Sequence, residues 1–201
     1  MDYSDVDWKQ EKPTLADLNA DWRMVQINHG ASVDPRLAAV VDELRRSHDN
    51  GGAVLGRFSI EAPPTWRWYF SRNRLDEALF FHRFYQHPTV TQSLGPLGHF
   101  RRSDGDLGFK MEQPHVATGR LAGTLANGGA YTKFGGSDKA LLHLVSSFTE
   151  AAFDDRYSDA LAYVSFAPWS SWFKDVAWDA SFFWLDKKTG VATTLLMTDT
   201  D

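Results

Sequence analysis

Residues 180–185 (ASFFWL) and 191–197 (VATTLLM) are two apolar, β-prone runs separated only by Asp186-Lys187-Lys188-Thr189-Gly190. Runs of this composition on either side of a short polar turn predict a β-hairpin, with Gly190 where a positive φ is needed. The hairpin belongs to a longer stretch, residues 163–201, that holds Trp169, Trp172, Trp178 and Trp184, half of the chain's 8 tryptophans. Asp175, Asp179, Asp199 and Asp201 stand at its edges. The rest of the chain is arranged around this tail.

Upstream, helical and strand periods alternate. Thr14 and Asp17 suit the start of a helix carrying Leu15, Leu18, Trp22 and Val25 at spacings of three and four. Asp34 as N-cap and Pro35 as first residue predict a second helix, with the stripe Leu37, Val40, Val41, Leu44 and a stop at Gly51-Gly52. Arg45 and Arg46 fall in its last turn, where cations favour the dipole. Residues 53–60 and 65–70 read as strands, the second placing Trp66, Trp68 and Phe70 on one face. Residues 73–87 read as one helix ended by Pro88, and residues 88–108 as irregular chain. Short strands are expected at 107–111 and 130–134, and 118–125 fits neither period cleanly. Ser137 caps a helix over 138–153, and 161–166 is a further strand. The whole is expected to be a single α+β domain over residues 13–201, with a mainly antiparallel sheet, about four helices and the C-terminal hairpin. Residues 1–12 are expected to be a mobile or loosely docked arm.

Composition narrows the function classes. A hydrophobic share of 43%, with 14% aromatic, is ample for a core and excludes wholesale disorder. No apolar run approaches the ~18 residues of a membrane span, and the acidic start MDYSDVDWKQEK is unlike a secretory signal. With Cys 0, there is no disulfide, thiolate nucleophile or cysteine zinc site. A cytoplasmic bacterial protein without membrane contact is the expectation. The net charge is −5, but residues 45–102 are basic between acidic ends.

Few motifs carry chemistry. Residues 131–140 (YTKFGGSDKA) lead into a helix as phosphate loops do, yet lack P-loop and dinucleotide spacing. The seven histidines are scattered and there is no HExxH, so no metal or other cofactor is expected. G-x-S-x-G is absent as well. WRWYFSRNR, residues 66–74, interleaves arginine with aromatics as single-stranded nucleic-acid platforms do. Without a supporting fold signature, a strand with one buried face accounts for it, and nucleic-acid binding is not expected. The spacing of Asp175 and Asp179 places both on one side of either a helix or a strand. Such a pair can bind a cation, do acid–base work, face a partner, or cap turns.

The segment WFKDVAWDASFFWLDKKTGVATTLLMTDTD, residues 172–201, resembles the C-terminal end of small uncharacterised bacterial proteins that finish in this Trp-rich, TDTD-ending pattern. These are similar in size and acidity to immunity proteins of bacterial toxin systems. Negative charge, the high Trp content, the acidic tail and the absence of a catalytic constellation point to a non-enzymatic protein-binding domain, and the resemblance implies an immunity-type inhibitor that occludes a toxin-like partner. Its expected binding residues are Trp169, Trp172, Asp175, Asp179, Asp199 and Asp201, with aromatic anchors rimmed by carboxylates. The alternative is a small-ligand-binding protein or a hydrolase-like enzyme using the tail carboxylates, with His82 or Arg101 beside them.

Overall fold

A computed structural model of the chain describes residues 1–30, 34–95, 97–101 and 105–201. Six strands, β1 (Gln26–His29), β2 (Gly52–Glu61), β3 (Lys110–Glu112), β4 (Ala160–Ser165), β5 (Ala180–Asp186) and β6 (Val191–Thr198), form one sheet in the order β1-β2-β6-β5-β4-β3. Every neighbouring pair is antiparallel. The predicted hairpin is therefore present as β5 and β6, and it occupies the middle of the sheet. Asp186 shapes its turn by accepting from Lys188 N–H at 3.0 Å and from Thr189 Oγ1 at 2.6 Å, and Gly190 adopts φ +70°.

Seven α-helices are seen among the described residues: α1 (Leu15–Asp21), α2 (Pro35–Ser47), α3 (Pro64–Ser71), α4 (Phe80–Gln86), α5 (Pro88–Leu94), α6 (Pro114–Asn127) and α7 (Asp138–Phe153). They cover both faces of the sheet. Leu18, Trp66, Phe70, Phe80, Phe84 and Val90, from α1 and α3–α5, pack on Phe58, Tyr163, Phe183 and Leu196. On the opposite face Leu37, Val40, Leu44, Leu121, Val145 and Phe148, from α2, α6 and α7, pack on Phe182, Trp184, Leu195 and Met197. Alternate residues of β2, β4, β5 and β6 serve alternate cores. Because neither face meets water, the central strands read as continuous apolar runs instead of alternating ones. Each large side chain buried this way contributes about 1.5–3 kcal/mol. No helix among the described residues is long and apolar enough to cross a membrane.

The α+β class and the capping signals hold. Thr14 and Asp17 form a reciprocal capping box, Asp34 caps α2 through Arg36 N–H, and Ser137 caps α7 through Ala140 N–H. Several local expectations are corrected. Among the described residues there are seven α-helices, not about four. Residues 65–70 are not a strand but the body of α3, where Trp66, Tyr69 and Phe70 share the buried side at helical spacing and Pro64 opens the first turn. The single helix expected over 73–87 is interrupted at Leu79, whose φ of +52° separates a 3-10 turn (Leu75–Ala78) from α4. Pro88 ends α4 and also begins α5, so the stretch expected to be irregular contains a helix; Pro96 and residues 102–104 of that stretch lie outside the described residues. Residues 130–134 form no strand, and 118–125 lie inside α6.

The first residues are tied to the body. Tyr3 is buried, stacks on Phe70 at 4.8 Å, donates its hydroxyl to Ile60 O at 2.8 Å and accepts from Ala62 N–H at 3.0 Å. Helix α3 and its C-cap Arg72 strap the residues around Tyr3 through their carbonyls: Trp68 Nε1 donates to Gln10, Tyr69 Oη to Pro13, Arg67 to Asp2 and Arg72 to Asp7. The interleaved arginines and aromatics of WRWYFSRNR are thus engaged with the chain itself.

Candidate functional site

The tail residues do not converge. Asp179 is 1% exposed, and its carboxylate accepts from Thr198 Oγ1 at 2.5 Å, Asp175 N–H at 2.7 Å, Val176 N–H at 3.1 Å and Lys174 N–H at 3.4 Å. Asp199 is equally buried and pins two loops, accepting from Asn50 N–H at 3.1 Å and from Ala130 N–H at 2.7 Å. Gly129 is required here, since a Cβ would stand 2.2 Å from both the Asp199 carboxylate and Ser47 O. Asp175 is exposed and 3.4 Å from Arg101, which also donates to Phe173 O and Ser170 O. Asp201 is exposed at the end of the chain. Trp169 lies in the core, donates Nε1 to Ser181 Oγ at 2.9 Å and packs on Tyr85 at 4.7 Å. Trp172 is half-buried against Phe173 in that same layer. Trp184 fills the opposite core, stacked on Phe182. His82 packs against Phe100 at 5.1 Å.

Trp178 has a different place. With Ala177 and Ala180 it forms one wall of a cavity of about 310 Å³, on the face covered by α2, α6 and α7. Helix α6 supplies Arg120, Gly123, Thr124 and Asn127, at relative positions 0, 3, 4 and 7, which is one helical stripe. The adjoining stripe, Ala117, Leu121 and Leu125, is buried in the core and fixes the rotation of the helix. Gly123 leaves open the space that a side chain would fill: a Cβ there meets nothing within 4 Å. Phe166, half-exposed just beyond β4, stands at the mouth with Arg120.

His48 contributes the titratable group. It closes α2, donating its backbone N–H to Leu44 O at 2.8 Å. Its ring is 1% exposed and turns Nδ1 back to the same helix end, 3.1 Å from Leu44 O and 2.9 Å from Ser47 Oγ. A carbonyl only accepts, so the proton belongs on Nδ1 and Nε2 is left as an acceptor. That Nε2 is buried without a hydrogen-bond partner among the described residues, although His48 lines the cavity. Burial holds the imidazole below its ordinary pKa, while the nearby Asp199 charge and the Leu44 carbonyl act in the other direction. The site therefore presents a neutral, buried acceptor.

At the mouth, Glu112 takes Arg120 Nε between its two oxygens, at 2.6 and 2.7 Å. The two terminal nitrogens of the guanidinium have no partner among the described residues, and the group lies 5.9 Å from the Phe166 ring centre. No three His, Asp or Glu side chains among the described residues gather as a metal site.

No family model, curated protein or solved structure matches this chain.

Of these residues, Phe166, Ala177, Trp178 and Ala180 belong to the tail, and none of the six expected binding residues lines the cavity. His48 stands in the sequence as one of several scattered histidines. The stripe of Arg120, Gly123, Thr124 and Asn127 beside Ala117, Leu121 and Leu125 is the signal that a helical reading of 114–127 would have exposed.

Proposed function

We propose that this protein is a cytoplasmic small-ligand-binding domain whose site is the cavity between α2, α6 and the tail. The observation that carries the reading is the buried His48, whose Nε2 lacks a partner and which lines a half-open pocket. A buried acceptor left unpaired costs about 1–3 kcal/mol, and a ligand donor in the cavity would remove that cost. Trp178, Phe166 and Arg120 supply the apolar walls and the orienting charge typical of such sites. The tail carboxylates offer less to an enzyme, because Asp179 and Asp199 are already saturated by backbone N–H groups.

Nitrogen–proton correlation spectra recorded against a fragment library test this. Bound fragments should shift the Trp178 indole, the His48 ring and the amides of α6, and Gly123→Leu should abolish those shifts. Fragments that shift other regions only, or shifts that survive Gly123→Leu, count against the site.

A protein partner, including a toxin-like one held by an immunity-type inhibitor, is favoured by a separate observation. Trp8 is 80% exposed on the acidic N-terminal segment that also bears Asp5, Asp7 and Glu11, with Arg72 against its ring at 5.6 Å. This is an aromatic anchor with carboxylates near it. Trp8→Ala would weaken such a complex at least tenfold while leaving fragment binding in the cavity unchanged.

A further inference from the structure

Three features constrain what the cavity can hold. His48, a lining residue, holds on Nε2 a buried acceptor without a partner, so a ligand group that reaches it must be a hydroxyl or N–H donor. Along the sides Trp178, Ala177, Ala180 and the bare backbone at Gly123 leave a space that suits a flat ring. At about 310 Å³ the volume is at the small end of ligand sites, which admits one ring system and excludes a dinucleotide.

The mouth decides the charge. Glu112 engages only Nε of Arg120, so the planar fork of its terminal nitrogens remains available for a bidentate anion. Glu112 also neutralises part of that charge and stands close enough to repel a second negative charge. This arrangement suits a planar monoanion better than a phosphate dianion. The neutral polar groups of Thr124 and Asn127 lie on the same stripe as Arg120.

We infer that the cavity takes a small aromatic carboxylate bearing a hydroxyl or N–H donor at the end remote from the carboxylate. The donor meets His48 Nε2, the ring lies along Trp178 and Phe166, and the carboxylate meets the Arg120 fork. This rests on the ligand-binding reading above and adds the class of ligand to it.

Calorimetry and Trp fluorescence with four matched probes test the assignment: 4-hydroxybenzoate, benzoate, 4-hydroxybenzamide and 4-hydroxyphenyl phosphate. The first should bind tightest, with the other three at least tenfold weaker. Benzoate lacks the donor, the amide lacks the charge, and the phosphate carries one charge too many. Arg120→Gln should erase the preference for the acid over the amide. His48→Phe should erase the preference for 4-hydroxybenzoate over benzoate. These are changes in selectivity, which a general loss of structure would not produce. If the amide equals or exceeds the acid, or the phosphate binds best, the carboxylate assignment is wrong while the cavity remains a ligand site. If the acid binds but Arg120→Gln leaves its preference intact, the role of Arg120 is wrong. If none of the four probes binds, and no fragment of the library is displaced by Gly123→Leu, both the ligand class and the ligand-binding reading fall.

Discussion

His48 Nδ1 lies 3.1 Å from the carbonyl oxygen of Leu44, four residues earlier on the same helix. The main chain thereby chooses the tautomer of a side chain that it also positions. A nitrogen-detected spectrum of the imidazole at pH 7.5 should show the neutral Nδ1–H form; the Nε2–H form would contradict the proposed acceptor.

Stability should fall in mild acid. Burial keeps the folded-state pKa values of His48, His82 and His87 below the ordinary value, with the Arg83 charge adding to the effect at His82. The unfolded chain takes up protons near pH 6.5 that the folded chain refuses, so their contribution is full above that pH and declines below it. The slope is at most about 1.4 kcal/mol per pH unit for each such group. Urea midpoints at pH 7.5 and 5.5 measure this, and His48→Gln should flatten the difference. Identical midpoints in the parent protein would refute it. Carboxylates with lowered pKa, such as Asp34 at about 2, titrate below this window.

Asp175 and Asp179 should behave as opposites. Removing the Asp179 carboxylate leaves Asp175 N–H, Val176 N–H and Thr198 Oγ1 without their acceptor, and Asp179→Ala is expected to cost about 2–4 kcal/mol. The exposed pair of Asp175 with Arg101 is worth no more than about 1 kcal/mol. Equal losses in denaturant titrations of the two alanine variants would show that the buried network is not what holds this loop.

Gly123→Ala should stabilise the fold by about 0.5–1 kcal/mol, because it removes a glycine from a helix interior without a steric clash. Thermal melts read the gain. A destabilised variant would mean that the cavity wall is closer than the open space found there.

Tyr3→Phe keeps the stacking on Phe70 but leaves Ala62 N–H unpaired, at an expected cost of about 1–3 kcal/mol. The same variant should speed proteolytic cleavage between residues 5 and 12. An unchanged cleavage rate would place the anchor of this segment elsewhere.

What the sequence disclosed follows from how local each feature is. The hairpin, the capped helices α2 and α7 and the α+β class rest on neighbours within a turn or two, and they were legible. Residues 64–71 were not, since aromatics at 66, 68, 69 and 70 satisfy a period of two and a period of 3.6 at once. The shared face inferred for Asp175 and Asp179 presumed regular structure between them. Asp175 instead adopts φ +67°, and the turn sends one carboxylate out and the other in. The cavity was hidden for another reason. Its lining comes from residues 48, 120–128, 166 and 177–180, and its space is made partly by a side chain that Gly123 does not have.

The position of the hairpin has a consequence for synthesis. Strands β5 and β6 emerge after β1 with β2, and after β3 with β4, yet they lie between those two pairs. Until they arrive the nascent chain holds two separate ribbons, each too small to be stable alone and each with an open inner edge. Joining them demands contacts between residues more than a hundred positions apart, such as Gly52 with Thr198, and pairings of that span are slow to form. The sheet is thus closed last at its centre, and only after residue 198 is free. Until then, chaperones have two unpaired strand edges to shield.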